Sequence, residues 1–190
     1  MDHCPMTNML DVVNTAPRLA ALAMIEPLVE RSPWVAATTV DKRPFACDEA
    51  LARALVETIL CAGLRQQLAL FNAHPELAGK EAVEGRMTEA SISEQGRLGL
   101  LTLSSADASR LTRLNAAYRD RFGHPFIIAL HRTPDLPSLF AIFERRLAAT
   151  LLEEHTATLA EIASVIRFRA ARAFGTGAKL PENLAAATLE

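Results

Sequence analysis

The sequence predicts an all-α protein, a single-domain compact helical bundle with no substantial sheet. Apolar residues recur at spacings of three and four residues through almost the whole chain, which is the period of an amphipathic helix. The stretches between these segments carry the capping residues, glycines and prolines that are typical of helix ends. With 190 residues, half of them hydrophobic, the chain can bury one core. We therefore expect one domain over residues 1–175 and a flexible tail over residues 176–190.

Two helices are predicted in the first half of the chain. Asp48 is expected to cap the first of them, and Gly63 to end it. Its inward positions follow the helical period: Leu51, Leu55, Ile59 and Cys61. The second helix is expected over residues 64–73. Pro75 disfavours helical geometry at the preceding residue, so His74 should stand at a helix end.

A polar loop over residues 79–87 separates this pair from the next two helices. The first of these is expected to start at Thr88 or Ser91 and to run to about Leu103. Three residues offer caps for the following helix: Ser104, Ser105 and Asp107. Gly123 is placed to end that helix in the left-handed conformation.

The last third of the chain begins with a short apolar stretch over residues 125–130. This stretch is bounded by prolines and is too short for a sheet of its own, so it predicts a buried extended segment. Two more helices are expected, over about residues 138–149 and 153–174, with Gly175 ending the longer one.

Charge and cysteine content restrict the class of partner and the compartment. The formal charge is −2 and the arginines are scattered, which argues against nucleic acid or an anionic membrane as a partner. Cys4, Cys47 and Cys61 form neither a CxxC motif nor an even-numbered framework, which favours a reduced chain. Neither a membrane span nor a signal peptide is predicted. We expect a cytoplasmic protein.

The candidate chemistry lies in one polar helix face and one histidine. Ser91, Glu94 and Gln95 are spaced i, i+3 and i+4, so they share a face of their helix. His74 precedes Glu94 by 20 residues (94 − 74 = 20), which suits a helix end, a loop and the start of the next helix. Two structural alternatives stay open here. The face can be solvated, with Ser91 and Glu94 sharing a local hydrogen bond, and His74 can be a capping or core histidine.

Other kinds of site lack their motifs. The sequence contains no HExxH, no histidine pair at helical spacing and no Cys/His cluster, so we expect no metal site. It also contains no GxSxG elbow, no activated-cysteine signature and no glycine-rich phosphate loop. Nucleophilic catalysis and nucleotide binding are therefore not predicted.

Several segments, taken in order, form a set of motifs that covers most of the chain. They are ERSPWVA at 30–36, RPF at 43–45, HPELAGK at 74–80, the Ser91, Glu94 and Gln95 helix, LNAAYRDRFGHPFII at 114–128, ERRL at 144–147 and EIASVIRFR at 161–169. In this order and spacing they resemble the motifs of the 2-oxo-4-hydroxy-4-carboxy-5-ureidoimidazoline (OHCU) decarboxylases.

This resemblance implies an all-helical homodimer that needs no cofactor and decarboxylates OHCU to (S)-allantoin in urate degradation. By the same resemblance, His74 and Glu94 are the catalytic pair, and which of them delivers the final proton stays open. The substrate-binding residues that it implies are Pro75, Ser91, Gln95, Arg169 and the main chain of Phe126, Ile127 and Ile128. Association with the upstream hydroxyisourate hydrolase is a further expectation. Two alternative functions stay open: a non-catalytic helical module that binds a ligand or a partner of the purine pathway, and a related decarboxylase with a shifted substrate.

Only one of two arginines near the end of the last predicted helix should face a ligand. Arg167 and Arg169 are two residues apart and therefore lie nearly opposite each other on a helix. The pattern of the resembling family favours Arg169.

Overall fold

The computed structural model describes residues 8–79 and 88–175, and in these residues the predicted all-α class is confirmed. They form nine α-helices, three short 3₁₀ helices and no strand. The 3₁₀ helices are Glu26–Leu28, Val40–Lys42 and Leu130–Arg132. The α-helices are α1 (Met9–Thr15), α2 (Arg18–Ile25), α3 (Pro33–Thr39), α4 (Asp48–Leu60), α5 (Leu64–Ala73), α6 (Glu89–Arg97), α7 (Ser105–Phe122), α8 (Leu136–Leu147) and α9 (Leu151–Phe174). Except for Gly79, the predicted polar loop lies outside the described residues, as does the predicted tail.

The helix starts confirm some of the predicted caps and correct others. Ser104 caps α7, because its Oγ accepts a hydrogen bond from the Asp107 amide at 3.1 Å. The prediction that Asp48 caps α4 is wrong. Cys47 holds the cap position without a side-chain hydrogen bond. Asp48 is the first helical residue, where its negative charge interacts favourably with the positive end of the helix dipole. Helix α8 begins two residues earlier than predicted, because Asp135 caps it.

The helix ends likewise confirm one prediction and correct two others. Gly123 ends α7 with φ +76°, as predicted. Helix α4 ends at Leu60 rather than at Gly63, which instead begins α5. Helix α6 ends at Arg97, about six residues before the predicted end. Gly99 has φ +67° just beyond it, a conformation that a continuing helix does not contain.

The chain forms two compact units. Of the described residues, the first unit contains 8–61 and 166–175, and the second contains 62–79 and 88–165. Helix α9 contributes residues to both. In the first unit, the Arg43 guanidinium donates hydrogen bonds to the Val13 carbonyl at 2.8 Å and to the Ala16 carbonyl at 2.9 Å, and so binds the end of α1. The expected single domain over residues 1–175 stays a prediction.

The second unit packs around Tyr118, which is fully buried. Its apolar cluster is Leu77, Leu100, Leu111, Tyr118, Phe126, Ile128, Leu130, Leu139, Phe140 and Phe143. The Tyr118 hydroxyl donates to the carboxylate of Glu154, which also forms a buried ion pair with Arg146. Burial, together with this hydrogen bond, raises the pKa of Tyr118 far above its usual range. The network joins α7, α8 and α9 through groups that stay paired away from water.

No single helix in the described ranges is both long and apolar enough to cross a membrane.

Candidate functional site

His74 stands at the end of α5, as Pro75 predicted. It is the residue that follows the last helical turn, with φ −73° and ψ 140°, and its side chain is half-buried. Its Nδ1 lies 2.9 Å from the Leu70 carbonyl. A carbonyl can only accept, so Nδ1 carries the proton of this bond. Nε2 is then the ring nitrogen that can take up or release a proton.

The loop after His74 is held by two side chains from other helices. The Ala78 amide donates to Oε1 of Gln95 on α6 at 2.9 Å. The Asn115 amide group on α7 donates to the Leu77 carbonyl at 3.0 Å. Ala78 has φ +48°, which is unusual for a residue with a side chain, and the Gln95 bond holds its amide in place. The histidine loop and helix α6 are therefore directly connected.

Helix α6 turns its polar face inward. Ser91 and Gln95 are buried, Glu94 is half-buried, and the apolar Ile92 is 40% exposed. This is the reverse of an ordinary surface helix, which buries its apolar stripe. The alternative of a solvated face is therefore wrong. The Ser91 hydroxyl accepts a hydrogen bond from the hydroxyl of Thr88, the residue that caps α6, at 3.1 Å.

His131, which the sequence did not single out, lies close enough to Glu94 for the charge of the carboxylate to affect its pKa. Burial lowers the pKa of His131, and Arg132 lowers it further, whereas the negative charge of Glu94 opposes both effects. Its Nε2 is 3.3 Å from the Ser164 hydroxyl. Arg97, one turn after Glu94 on α6, donates to the Leu130 and Thr133 carbonyls. These two bonds fix the Leu130–Arg132 turn against α6.

The predicted apolar segment over residues 125–130 is buried, and it is non-helical up to residue 129. Its backbone is held from one side. The Arg146 guanidinium donates to the Ile127 carbonyl at 2.7 Å, and the Ala129 amide donates to Oε2 of Glu161 at 2.8 Å. The Arg146 guanidinium also lies over the Phe126 ring, 4.6 Å from its centre. The segment thus has a fixed backbone without belonging to a sheet.

The two arginines at the end of α9 differ in burial. Arg169 is buried and donates to Oε2 of Glu30 at 3.3 Å within the first unit. Arg167 is exposed and pairs with the exposed Glu49. The other candidate residues all belong to the second unit. That Arg169 acts with them stays a prediction.

Most of the predicted residues lie in three parts of the second unit: the loop after His74, helix α6 and the segment over residues 125–130. Hydrogen bonds from Gln95 and Arg97 join α6 to the loop and to the turn that ends the segment. The direct approach of His74 to Glu94 stays a prediction. Four polar residues of this region were not predicted as site residues: Arg97, Asn115, His131 and Glu161. Within the ranges that the structure describes, no group of three His, Cys, Asp or Glu residues could hold a metal ion.

Comparison with known proteins decides the family. The OHCU decarboxylase family model matches residues 14–171, which include parts of both units. The chain belongs to this family. A relative from Bos taurus, 2-oxo-4-hydroxy-4-carboxy-5-ureidoimidazoline decarboxylase, is 36% identical over 148 residues, which are 78% of this chain and 86% of the relative. A protein of the same name from Amia calva is 34% identical over 75% of this chain and 81% of its own length. Another from Haloferax volcanii is 34% identical over 78% of this chain and 86% of its own length.

Two solved structures are similar in fold. The crystal structure of (S)-allantoin synthase superposes with a TM-score of 0.68 at 23% identity, covering 86% of this chain and 53% of that longer one. The crystal structure of an OHCU decarboxylase in the presence of (S)-allantoin gives a TM-score of 0.60 at 18% identity, covering 75% of this chain and 92% of that one.

Proposed function

We infer that this chain is an enzyme that decarboxylates OHCU to (S)-allantoin in urate degradation. The similarity to the OHCU decarboxylases, at 34–36% identity over about three quarters of the chain, carries this conclusion. The inward polar face of α6 supports it. Burying a serine and a glutamine costs free energy that a purely structural helix avoids by burying apolar residues instead.

The substrate provides the electron sink for this reaction. OHCU carries its carboxylate and a hydroxyl on one ring carbon, next to a ring C=N. When CO2 leaves, the electron pair of the broken C–C bond forms a C=C bond to the carbon of that C=N, and the C=N electrons move to the ring nitrogen, which takes up a proton. The hydroxyl loses its proton and becomes the carbonyl of allantoin, and the neighbouring carbon, which bears the ureido group, gains a proton. The protein has to orient the substrate, accept the hydroxyl proton and deliver a proton to one face.

His74 and Glu94 are the groups that we propose for this proton transfer. The bond between Nδ1 and the Leu70 carbonyl supports a fixed ring orientation, with Nε2 as the nitrogen that exchanges a proton. Glu94 supplies a carboxylate on a helix that is tied to the histidine loop through Gln95. Either Nε2 of His74 or the carboxyl group of Glu94 delivers the final proton.

The remaining predicted residues bind the substrate in this proposal. The Ser91 hydroxyl and the Gln95 amide offer hydrogen bonds from the polar face of α6, and the buried Pro75 offers an apolar surface beside His74. The main chain of residues 126–128 passes beside the substrate ring, and Phe126 and Ile128 offer it their backbone groups. For Arg169 we keep the role that the family resemblance implies, a planar fork for ureido or carboxylate oxygens.

A direct assay tests this function. OHCU is generated from urate by an oxidase and a hydrolase, and its disappearance is followed with and without the protein. We expect the wild-type protein to accelerate the decay, and His74→Asn to approach the uncatalysed rate with a nearly unchanged melting temperature. If the wild-type protein has no effect on the decay, the decarboxylase function is excluded and the non-catalytic binding module remains.

We also propose that the protein acts in the cytoplasm as a homodimer and associates with the hydroxyisourate hydrolase of the preceding step. The family resemblance supports the dimer. A Bacillus relative named "Uric acid degradation bifunctional protein" supports the association. That relative is 31% identical over 148 residues, which are 28% of its length. Light scattering tests the dimer, and co-purification with the hydrolase tests the association.

A further inference from the structure

The segment over residues 125–130 presents its backbone groups in two directions. Its side chains alternate, because Phe126, Ile128 and Leu130 belong to the apolar cluster of the second unit. Every second residue of an extended backbone faces the same way, and its N–H and C=O groups alternate in the same manner. The groups of Ile127 and Ala129 therefore point to one side, and those of Phe126 and Ile128 point to the other.

One of these two sides is occupied by charged side chains of the protein. The Ile127 carbonyl accepts from Arg146 on α8, and the Ala129 amide donates to Glu161 on α9. Among the described residues, no group forms a hydrogen bond with the backbone N–H or C=O of Phe126 or Ile128, although both residues are more than nine-tenths buried. In folded proteins the great majority of buried backbone N–H and C=O groups have a hydrogen-bond partner. The backbone groups of Phe126 and Ile128 are therefore candidates for bonds to a ligand.

We propose that Glu161 is a positioning residue for the reaction. By holding the Ala129 amide, it keeps the backbone groups of Phe126 and Ile128 turned toward the substrate. This inference rests on the proposed function. Glu161 does not touch the reacting atoms in this account. Glu161 affects substrate binding indirectly, because it holds the segment over residues 125–130 in place. Arg146 holds the same segment through its bond to the Ile127 carbonyl.

Glu161 also pairs with the exposed Arg132 at 2.9 Å, so a test has to separate its charge from its role as an acceptor. Glu161→Gln keeps an oxygen acceptor at the same reach but removes the charge. Glu161→Asp keeps the charge but withdraws the acceptor by one methylene. Arg132→Gln removes the ion pair and leaves the Ala129 bond intact. The two Glu161 variants change a half-buried side chain of α9, and Arg132→Gln changes an exposed side chain of the Leu130–Arg132 turn, so none of them opens a large cavity.

The experiment measures KM and kcat for OHCU and the Kd for (S)-allantoin by calorimetry. For Glu161→Asp we expect KM and Kd to rise about tenfold, the scale of one lost hydrogen bond, while kcat changes less. Glu161→Gln and Arg132→Gln should stay within about twofold of wild type. Amide hydrogen exchange at Ala129 should be faster in Glu161→Asp and unchanged in Glu161→Gln.

The outcomes separate this inference from the function on which it rests. If Glu161→Asp binds as wild type does, or if Glu161→Gln and Arg132→Gln lose as much binding as Glu161→Asp, the positioning role is wrong while the decarboxylase function stands. A wild-type protein that does not turn over OHCU would overturn both.

Discussion

The proton on Nδ1 of His74 sets the chemistry of the candidate site at the scale of single residues. The Leu70 carbonyl fixes that proton, so the opposite ring nitrogen is the one available for acid and base work. The Pro75 ring determines where the imidazole stands, because it ends helical geometry at His74. Pro75 therefore controls the position of the histidine, and the Leu70 carbonyl controls its tautomer.

Replacing Glu94 with glutamine tests its proton-transfer role. Glu94→Gln is nearly isosteric but cannot carry a negative charge or exchange a proton near neutral pH. We expect kcat for OHCU to fall at least about a hundredfold, the lower scale of general acid–base contributions. The melting temperature, measured in parallel, should change little. Near-normal turnover would remove Glu94 from the mechanism.

The two arginines of α9 provide a matched pair of substitutions. Arg169→Lys keeps the charge of a buried side chain but loses the planar fork, so the KM for OHCU should rise. Arg167→Lys changes an exposed arginine on the same helix and should leave KM unchanged. Steady-state kinetics on both variants checks the ranking. The reverse order would show that Arg167 is the ligand-binding arginine.

Sequence patterns predict only some of the residues of this region, for a physical reason. His74, Ser91 and Glu94 stand out because a proline or the helical period fixes where they point. Glu161 and Arg97 give no such signal. Their partners are backbone groups 32 to 36 residues away, and only the folded chain shows which carbonyl or amide comes near. The effect of Glu94 on His131 depends on tertiary packing in the same way.

At the scale of elements, the helices that the sequence places well are those with strong end signals. Gly123 and Gly175 end their helices as predicted, because Gly123 has the left-handed φ of +76° and a Cβ at Gly175 would overlap the Ala171 carbonyl oxygen. The sequence predicts the end of α6 about six residues too late, since the apolar pattern continues beyond the helix through Leu98, Leu100 and Leu101. The sequence does not predict helices α1 to α3 individually. Each has only seven or eight residues, too few to establish a period.

The buried pair of Arg146 and Glu154 links α8 to α9, and breaking it should destabilise the protein. Glu154→Ala leaves the Arg146 guanidinium buried without its carboxylate and removes the acceptor of the Tyr118 hydroxyl. We expect the free energy of unfolding to fall by about 3 to 5 kcal/mol. Denaturant titration measures this change.

An exposed ion pair supplies the control for that experiment. Glu144→Ala removes the partner of Arg110, and both side chains are more than two-fifths exposed. The loss there should stay below about 1 kcal/mol. Equal losses in the two variants would contradict the claim that burial makes the Arg146 pair important.

At the scale of the whole molecule, buried histidines should make stability depend on pH. Burial lowers the pKa of His124, whose ring packs against Phe71 and Tyr118. As the pH falls from about 7 to 5, the unfolded chain binds a proton at this histidine more readily than the folded chain does, so stability decreases. Burial lowers the pKa of His131 as well, so it acts in the same direction.

Removing His124 should flatten this pH dependence. His124→Phe keeps a ring in the aromatic cluster but cannot bind a proton. We expect its melting temperature to fall less between pH 7 and 5 than that of the wild-type protein. Parallel thermal melts check this, and identical slopes in the two proteins would assign the pH dependence to other groups.

The handedness of the product tests the central claim most directly. OHCU also decays without enzyme, and solvent can then protonate either face of the planar intermediate, so the product approaches a racemate. A protein that holds the ring against a fixed backbone segment and supplies one proton donor must form one enantiomer. The circular dichroism of allantoin formed with the protein present should grow as the (S) signal, faster than total allantoin appears in the uncatalysed control. A racemic product formed at the uncatalysed rate would contradict the decarboxylase function.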